Sequence, residues 1–435
     1  MMDMNTLSIE SLDQEGRGVA HHDGKVVFVE GGLPGEEVVA SVYRKKPSFE
    51  LATLNRVVRE SAARQRPPCS YFGRCGGCSL QHADLRTQVA GKQRVLEDNL
   101  RHLGKVMPDV IFPAIHGLSW GYRRRARLTA RHVAKKGGML VGFHEKRSSY
   151  VADMTSCEVL PPELSALLPE LRRLIGSLSI YQRVPQVEVA LGDAAAVLVF
   201  RLLDPLTDRD EALLRDFADA HGIHAYVQRG GPETAVPFHP ATAADLYYEL
   251  PEFGVQIAFE PTDFTQVNHA VNRVLVRRAV GLLEPQPGER VADMFCGLGN
   301  FSLPIARSGA SVLGIEGTRT LVARAEANAS RNGLAAVTRF MTADLFKTSA
   351  DTLAALGDFD RMLIDPPRDG AAELVKSIGD NGPRRIVYVS CNPATLARDA
   401  GILVHAAGYT LSGAGIVNMF PHTAHVESIA VFDRR

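Results

Sequence analysis

Three apolar runs in the C-terminal part of this chain each stop at a residue able to do chemistry, and this recurrence restricts the fold more than any other feature. Val291-Ala-Asp-Met-Phe295 opens into Cys296-Gly-Leu-Gly-Asn300, Arg361-Met-Leu-Ile-Asp365 opens into Pro366-Pro-Arg368, and Arg385 to Ser390 opens into Cys391-Asn-Pro393. Short β-rich runs alternating with helical stretches predict a doubly wound parallel sheet, whose ligands gather beyond the carboxyl ends of the strands. The third strand end offers a thiol where the other two offer carboxylates, which makes Cys391 a candidate nucleophile. A free cysteine is often a small buried hydrophobe instead. The Asn-Pro that follows it at a strand end favours the chemical role.

The glycine loop Gly297-Leu-Gly299 lets the backbone pass close to a ligand where a side chain would collide, and Asn300 and Phe301 then begin a helix. One strand later, Ser311-Val-Leu-Gly-Ile315 ends in Glu316, an acid placed to bond a ribose diol. Asp344 follows the next strand, Thr338 to Thr342, where it can accept from an adenine amine. Either acid alone reads equally well as a helix cap. Together, at successive strand ends, they favour an adenosyl-containing cofactor. The loop lacks the full six-residue dinucleotide fingerprint.

The remainder of the chain adds other parts. Residues 5–60 alternate β-rich runs (Lys25–Val29, Val38–Val42, Phe49–Leu54) with turns such as Gly31-Gly-Leu-Pro-Gly35, enough strands for a small barrel. A proline-marked junction, Arg64-Gln-Arg-Pro-Pro-Cys69, leads into a helical stretch around Gln88 to Leu103. Residues 117–260 read as mostly β with one amphipathic helix near Pro162 to Leu174. The expected division is therefore 1–60, 61–260 and 261–435, a multidomain α/β protein.

Cys69, Cys75 and Cys78, spaced C-x5-C-x2-C in a glycine-rich loop, together with Cys157, suit either a [4Fe-4S] cluster or a four-cysteine zinc site, and spacing alone leaves both open. Six cysteines in 435 residues are too few for a disulfide scaffold. The start, Met1 to Glu10, is acidic without an apolar core flanked by basic residues, and no apolar run is long enough to span a membrane, so the expectation is a cytoplasmic protein.

Net charge is zero, 49 basic residues against 49 acidic, and makes no case for a polyanionic partner. Local charge does. Arg123, Arg124, Arg125, Arg127, Arg131, Lys135, Lys136, Lys146 and Arg147 face the single acid Glu145 within one stretch, with Trp120, Tyr122 and Phe143 as candidate stacking faces. The plain alternative is a solvated strand surface. Arg44-Lys45-Lys46 adds charge to the barrel.

Five motifs in order, Phe264-Thr-Gln-Val-Asn268, Asp293-Met-Phe-Cys-Gly-Leu-Gly-Asn-Phe301, Asp365-Pro-Pro-Arg368, Ser390-Cys-Asn-Pro393 and His425-Val-Glu427, resemble the RNA uracil-C5 methyltransferase family. The resemblance implies a class I (Rossmann-like) domain using S-adenosyl-L-methionine, with Gln266, Phe295, Asn300, Glu316, Asp344 and Asp365 lining the cofactor site. It implies Cys391 as the nucleophile toward C6 of uracil and Glu427 as the base that removes the C5 proton. Gly16-Arg-Gly-Val-Ala20 and Phe28 to Glu36 resemble a TRAM domain, an OB-like RNA-binding barrel. Several bacterial members bear the cysteine arrangement, which tips that site to an iron-sulfur cluster held by Cys69, Cys75, Cys78 and Cys157. A TRAM barrel together with such cysteines resembles the branch acting on bacterial large-subunit (23S) ribosomal RNA, with no membrane and no obligate protein partner. The alternatives are a transfer-RNA or other ribosomal uridine, an exocyclic-amine RNA methyltransferase, and a noncatalytic RNA-binding protein.

Overall fold

The C-terminal apolar runs do assemble into one sheet. The computed structural model describes residues 6–379 and 381–434; Met1–Asn5, on which part of the reading of the start rests, lie outside the described residues, as do Asp380 and Arg435. Eight strands lie in the order Thr338–Thr342, Ser311–Glu316, Arg290–Met294, Arg361–Ile364, Arg385–Ser390, Glu427–Arg434, Tyr409–Val417 and Val110–Ile111. The first five run parallel, and Glu427–Arg434 inserts antiparallel between Arg385–Ser390 and Tyr409–Val417. Strand order reverses between Arg290–Met294 and Arg361–Ile364, the place where such sheets open a ligand crevice.

Alternation along each strand feeds two cores. Leu363, Val387 and Val389 pack with Val271, Leu275 and Ala279 of the His269–Leu283 helix, while Met362, Ile364, Ile386 and Tyr388 pack on the other face with Leu396, Ala397 and Leu403 of the Pro393–His405 helix. With both faces covered, the strands read as unbroken apolar runs.

The N-terminal strands form a six-stranded sheet around Leu7, Ile9, Ala20, Val27, Val29, Val38, Ala40 and Ala52. The central segment builds a second six-stranded sheet against the helix Pro162–Ser177. The expectation of a single helix there is corrected by a further helix, Asp208–His221. Its charged first turn masks a short apolar stripe of Leu214, Phe217 and Ala218, but the capping box of Thr207 and Asp210 was a legible start signal.

Residues 85–115, assigned from the sequence to the central unit, pack on the C-terminal sheet instead. The helix Leu85–Asn99 and the π-helical turn Leu100–Gly104 contribute Val95, Leu96 and Leu100 to its core, and Val110–Ile111 is its edge strand. Close backbone approach requires glycine here: a Cβ on Gly104 would stand 2.4 Å from the Ala397 carbonyl oxygen. No helix among the described residues is long and apolar enough to cross a membrane.

Candidate active site

The thiol and the late carboxylate meet because of the inserted antiparallel strand. Ser390 pairs with Ser428, and one residue beyond that pair stand Cys391 and Glu427. Cys391 lies between the end of its strand and Asn392, whose side chain caps the next helix by accepting from Ala394 N at 3.1 Å, with Pro393 at the first helical position. Asn392 Nδ2 also donates to the Arg368 carbonyl at 3.1 Å, and Thr395 Oγ1 does so at 3.2 Å, tying the Asp365-Pro-Pro-Arg368 loop to the cysteine.

Burial pushes the Cys391 thiol up to about 11, Glu427 and Asp365 push the same way, and Arg368 opposes them. Asp365 is held well above the usual carboxylate range by burial, then by the charges of Glu427 and Asp293. Glu427 is 5% exposed, its Oε2 has no hydrogen-bond partner among the described residues, and its Oε1 lies 3.7 Å from His425 Nε2. A half-buried thiol, an acid raised by burial and an acid with an open oxygen thus share one crevice.

A thiol with this pKa is protonated at neutral pH, and its reactive thiolate fraction grows about tenfold per pH unit until roughly pH 11. Alkylation of Cys391 by iodoacetamide, followed by peptide mass spectrometry, is expected to accelerate with that slope from about pH 7 to about pH 10. A plateau below about pH 9 would show that the free site already stabilises the thiolate.

Of the residues assigned to the cofactor, Glu316 stands at its strand end with Oε2 accepting from Gly297 N at 3.1 Å and Oε1 from Gly317 N at 2.7 Å. Gly297 and Gly299 take positive φ, and so does Phe295 at +65°, a strained conformation for an aromatic residue. Asn300 turns toward the protein: its Oδ1 accepts from Tyr248 Oη and from Asn272 Nδ2, both at 2.9 Å. Asp344 is exposed, accepts from Phe346 N at 3.1 Å and pairs with Lys347 at 3.0 Å, which lowers its pKa. It is therefore a cap as well as a strand-end acid. Gln266 is partly buried on the loop before the His269–Leu283 helix, and that loop is pinned by Arg124 N donating to the Val267 carbonyl at 2.9 Å.

Beneath the glycine loop lies a further acid. Asp293 is wholly buried, with Oδ2 held by Ser302 and Oδ1 without a partner among the described residues, and burial pushes it up to about 7. Several residues at the site carried no assigned role. Phe346 faces Phe295 with ring centroids 5.7 Å apart, and Phe264 is 71% exposed beside Gln266. Tyr248 and Asn272 hold Asn300. Lys92 reaches the hairpin before Glu427 from a helix far away in sequence; its only signal was a place on the buried stripe with Gln88, Val95 and Leu96.

The basic stretch is less free than its composition implied. Arg124 pairs with Asp193, Arg125 and Arg127 with Glu188, Lys136 with Glu145, and Lys146 and Arg147 with Glu30 of the N-terminal sheet. Arg123, Arg131 and Lys135 carry no ion pair among the described residues. The stacking expectation is corrected too: Tyr122 is buried, Phe143 lines the cysteine cavity, and one face of Trp120 is stacked on His422. Among the described residues the exposed aromatics are instead Phe264, Tyr150, Phe346 and Tyr43.

Cys69, Cys75, Cys78 and Cys157 all line one cavity of about 130 Å³ with Tyr71, Phe72, Phe143 and Met154. Burial raises Cys78 to about 12 and Cys157 to about 11, and the thiols act on one another by charge. Among the described residues no three ligating side chains converge on a single ion site. Four thiols around one cavity are the donor set of a [4Fe-4S] cluster or of a four-cysteine zinc site.

A family model described as tRNA (Uracil-5-)-methyltransferase matches residues 254–435, and one for the TRAM domain matches residues 5–53. A Nitrosospira multiformis protein named 23S rRNA (uracil(1939)-C(5))-methyltransferase RlmD is 61% identical over 428 residues, 98% of this chain and 98% of that protein. Its namesake from Aromatoleum aromaticum is 62% identical over 427 residues, 98% and 99% of the two chains. The solved structure of Pyrococcus abyssi tRNA (uracil-54, C5)-methyltransferase in complex with S-adenosyl-L-homocysteine shares the fold, with a TM-score of 0.73 at 24% identity over 98% of this chain and 99% of that one.

Proposed function

The chain belongs to the RNA uracil-C5 methyltransferase family, and we infer from this that it transfers the methyl group of S-adenosyl-L-methionine to C5 of a uridine in 23S ribosomal RNA. The observation that carries the chemical reading is the juxtaposition of Cys391, Asp365 and Glu427 at adjoining strand ends.

C5 of uracil is a poor nucleophile. Cys391, once its proton has left, adds through Sγ to C6, and the C5–C6 π pair moves to give an enolate whose C5 is nucleophilic. When bound, S-adenosyl-L-methionine supplies an electrophilic methyl on a sulfonium. C5 then carries both hydrogen and methyl. The Glu427 carboxylate takes the hydrogen as a proton, the C–H pair rebuilds the C5–C6 double bond, and the C6–S pair returns to Cys391 as thiolate. Asp365, whose carboxyl burial holds above the usual carboxylate range, orients the target base or the cofactor amine near the reacting centre. Gln266, Phe295, Asn300, Glu316 and Asp344 line the cofactor side, with Asn300 acting through the loop that Tyr248 and Asn272 fix.

The target must leave its stack to reach Cys391. The TRAM barrel of residues 1–60 and the central unit within 61–260 grip the RNA, while residues 261–435, joined by the packed segment 85–115, carry the reaction. All these roles sit on one chain, so the reading requires no protein partner, and the site of action is the cytoplasm. With purified protein and S-adenosyl-L-methionine, large-subunit RNA tritiated at uridine C5 is expected to release tritium as it gains methyl. Methyl gain without release would place the target on a nitrogen or ribose oxygen and overturn the reading.

Cys69, Cys75, Cys78 and Cys157 are the proposed ligands of a [4Fe-4S] cluster, a structural group that pins the 69–78 loop against the central unit. Protein purified without oxygen is expected to carry about four irons with matching acid-labile sulfide, and Cys78→Ser to lose most of both. One zinc per chain without sulfide would replace this assignment by the zinc site.

A further inference from the structure

Lys92 is 3% exposed, yet its side chain ends in a basic amine. From the Leu85–Asn99 helix its Nζ donates to Asn418 Oδ1 at 2.7 Å and to the Phe420 carbonyl at 2.9 Å. Asn418 follows Val417, the cross-strand partner of Glu427, and its own N–H donates to the Ile115 carbonyl at 2.7 Å. One turn earlier on the same stripe, Gln88 Oε1 accepts from His422 N at 2.8 Å. The helix thus grips both the start and the middle of the loop, residues 418–426, that delivers Glu427 to the crevice.

A purely structural tie at this position would be cheaper with a neutral side chain, because a buried ammonium is strongly disfavoured unless charge compensates it. Burial lowers the Lys92 pKa to about 7, and the Glu427 charge offsets this only in part. The unpartnered oxygen of Glu427 is therefore presented by a loop that Lys92 anchors through two hydrogen bonds.

We propose that Lys92 is a positioning residue for the proton-removal half of the reaction, holding through Asn418 and Phe420 the hairpin that sets Glu427 over C5. The proposal rests on the reading of Glu427 as the base. The carboxylate takes the C5 proton, the C–H pair becomes the C5–C6 double bond, and the sulfur departs with the C6–S pair; a slack hairpin slows this step and leaves the preceding methyl transfer intact.

Single turnovers with C5-tritiated RNA and methyl-labelled S-adenosyl-L-methionine separate the two halves. In Lys92→Met, tritium release is expected to slow about tenfold or more while methyl incorporation changes by less than about twofold, with a methylated protein–RNA adduct accumulating on denaturing gels. Asn418→Ala, which keeps the lysine and loses one of its acceptors, is expected to shift the same ratio in the same direction and carries the test if Lys92→Met does not fold. Parallel loss of both signals, or an unchanged ratio in both variants, overturns the proposal. Glu427→Gln run alongside tells the failures apart. If it forms no adduct, the base assignment falls and this role with it; if it does and the Lys92 and Asn418 variants do not, only the positioning role is lost.

Discussion

Replacing Cys391 by alanine is expected to abolish methyl transfer and tritium release together, by at least about 10⁴-fold in turnover, because removing a nucleophile leaves only binding and orientation to act on the substrate. Without the sulfur at C6, C5 never gains enolate character, however well the cofactor is held. The variant is also expected to bind RNA and cofactor nearly as well as the parent and to melt within a few degrees of it, since Cys391 is only half-buried and lies beyond the paired part of its strand. The check is a methyl-transfer assay alongside equilibrium binding. Residual methylation near the parental rate would point to an amine target, for which the Asp365-Pro-Pro367 loop alone suffices.

Glu427→Gln is expected to behave differently. Cysteine addition and methyl transfer precede the step it serves, so the first turnover proceeds and the complex then stalls with the methylated uridine still bonded to Cys391. Turnover is expected to fall by about 10²–10⁴, the usual worth of a positioned general base, while a stable protein–RNA adduct carrying labelled methyl appears at up to one per enzyme. The side chain is nearly isosteric, and the buried Oε2 it replaces has no partner to lose, so the fold is expected to tolerate it. A variant that cycles freely without adduct would move the base elsewhere, and His425, 3.7 Å from the carboxylate, would be the next residue to test.

Much of this site was legible because its parts are local. A strand of Arg385–Ser390 that stops at a thiol and a glycine loop after Phe295 are each fixed by a handful of neighbouring residues through backbone sterics, and the structure has them within a residue or so of where the pattern put them. The ends of the strands at Glu316 and Thr342 follow the same logic. The Asp208–His221 helix went unread because its apolar stripe is short, although its cap was visible.

Other features lay beyond local pattern. The basic stretch looked free because the sequence shows only its one neighbouring acid, whereas Glu30 and Glu188 reach it from other strands and Asp193 from a turn once the sheets form. Lys92 gave no sign of belonging to the site, because its partners lie more than three hundred residues away.

The sequence by itself determined which chemical groups stand at which strand ends, because strand period, glycine loops and caps act over a few residues. Only the tertiary structure decided that Glu427 stands beside Cys391, that four thiols share one cavity and that a distant lysine grips the hairpin that carries Glu427. Those neighbours are set by which strand inserts beside which and by how the helix of residues 85–99 docks on the sheet, choices made by burying apolar surface between segments far apart in the chain.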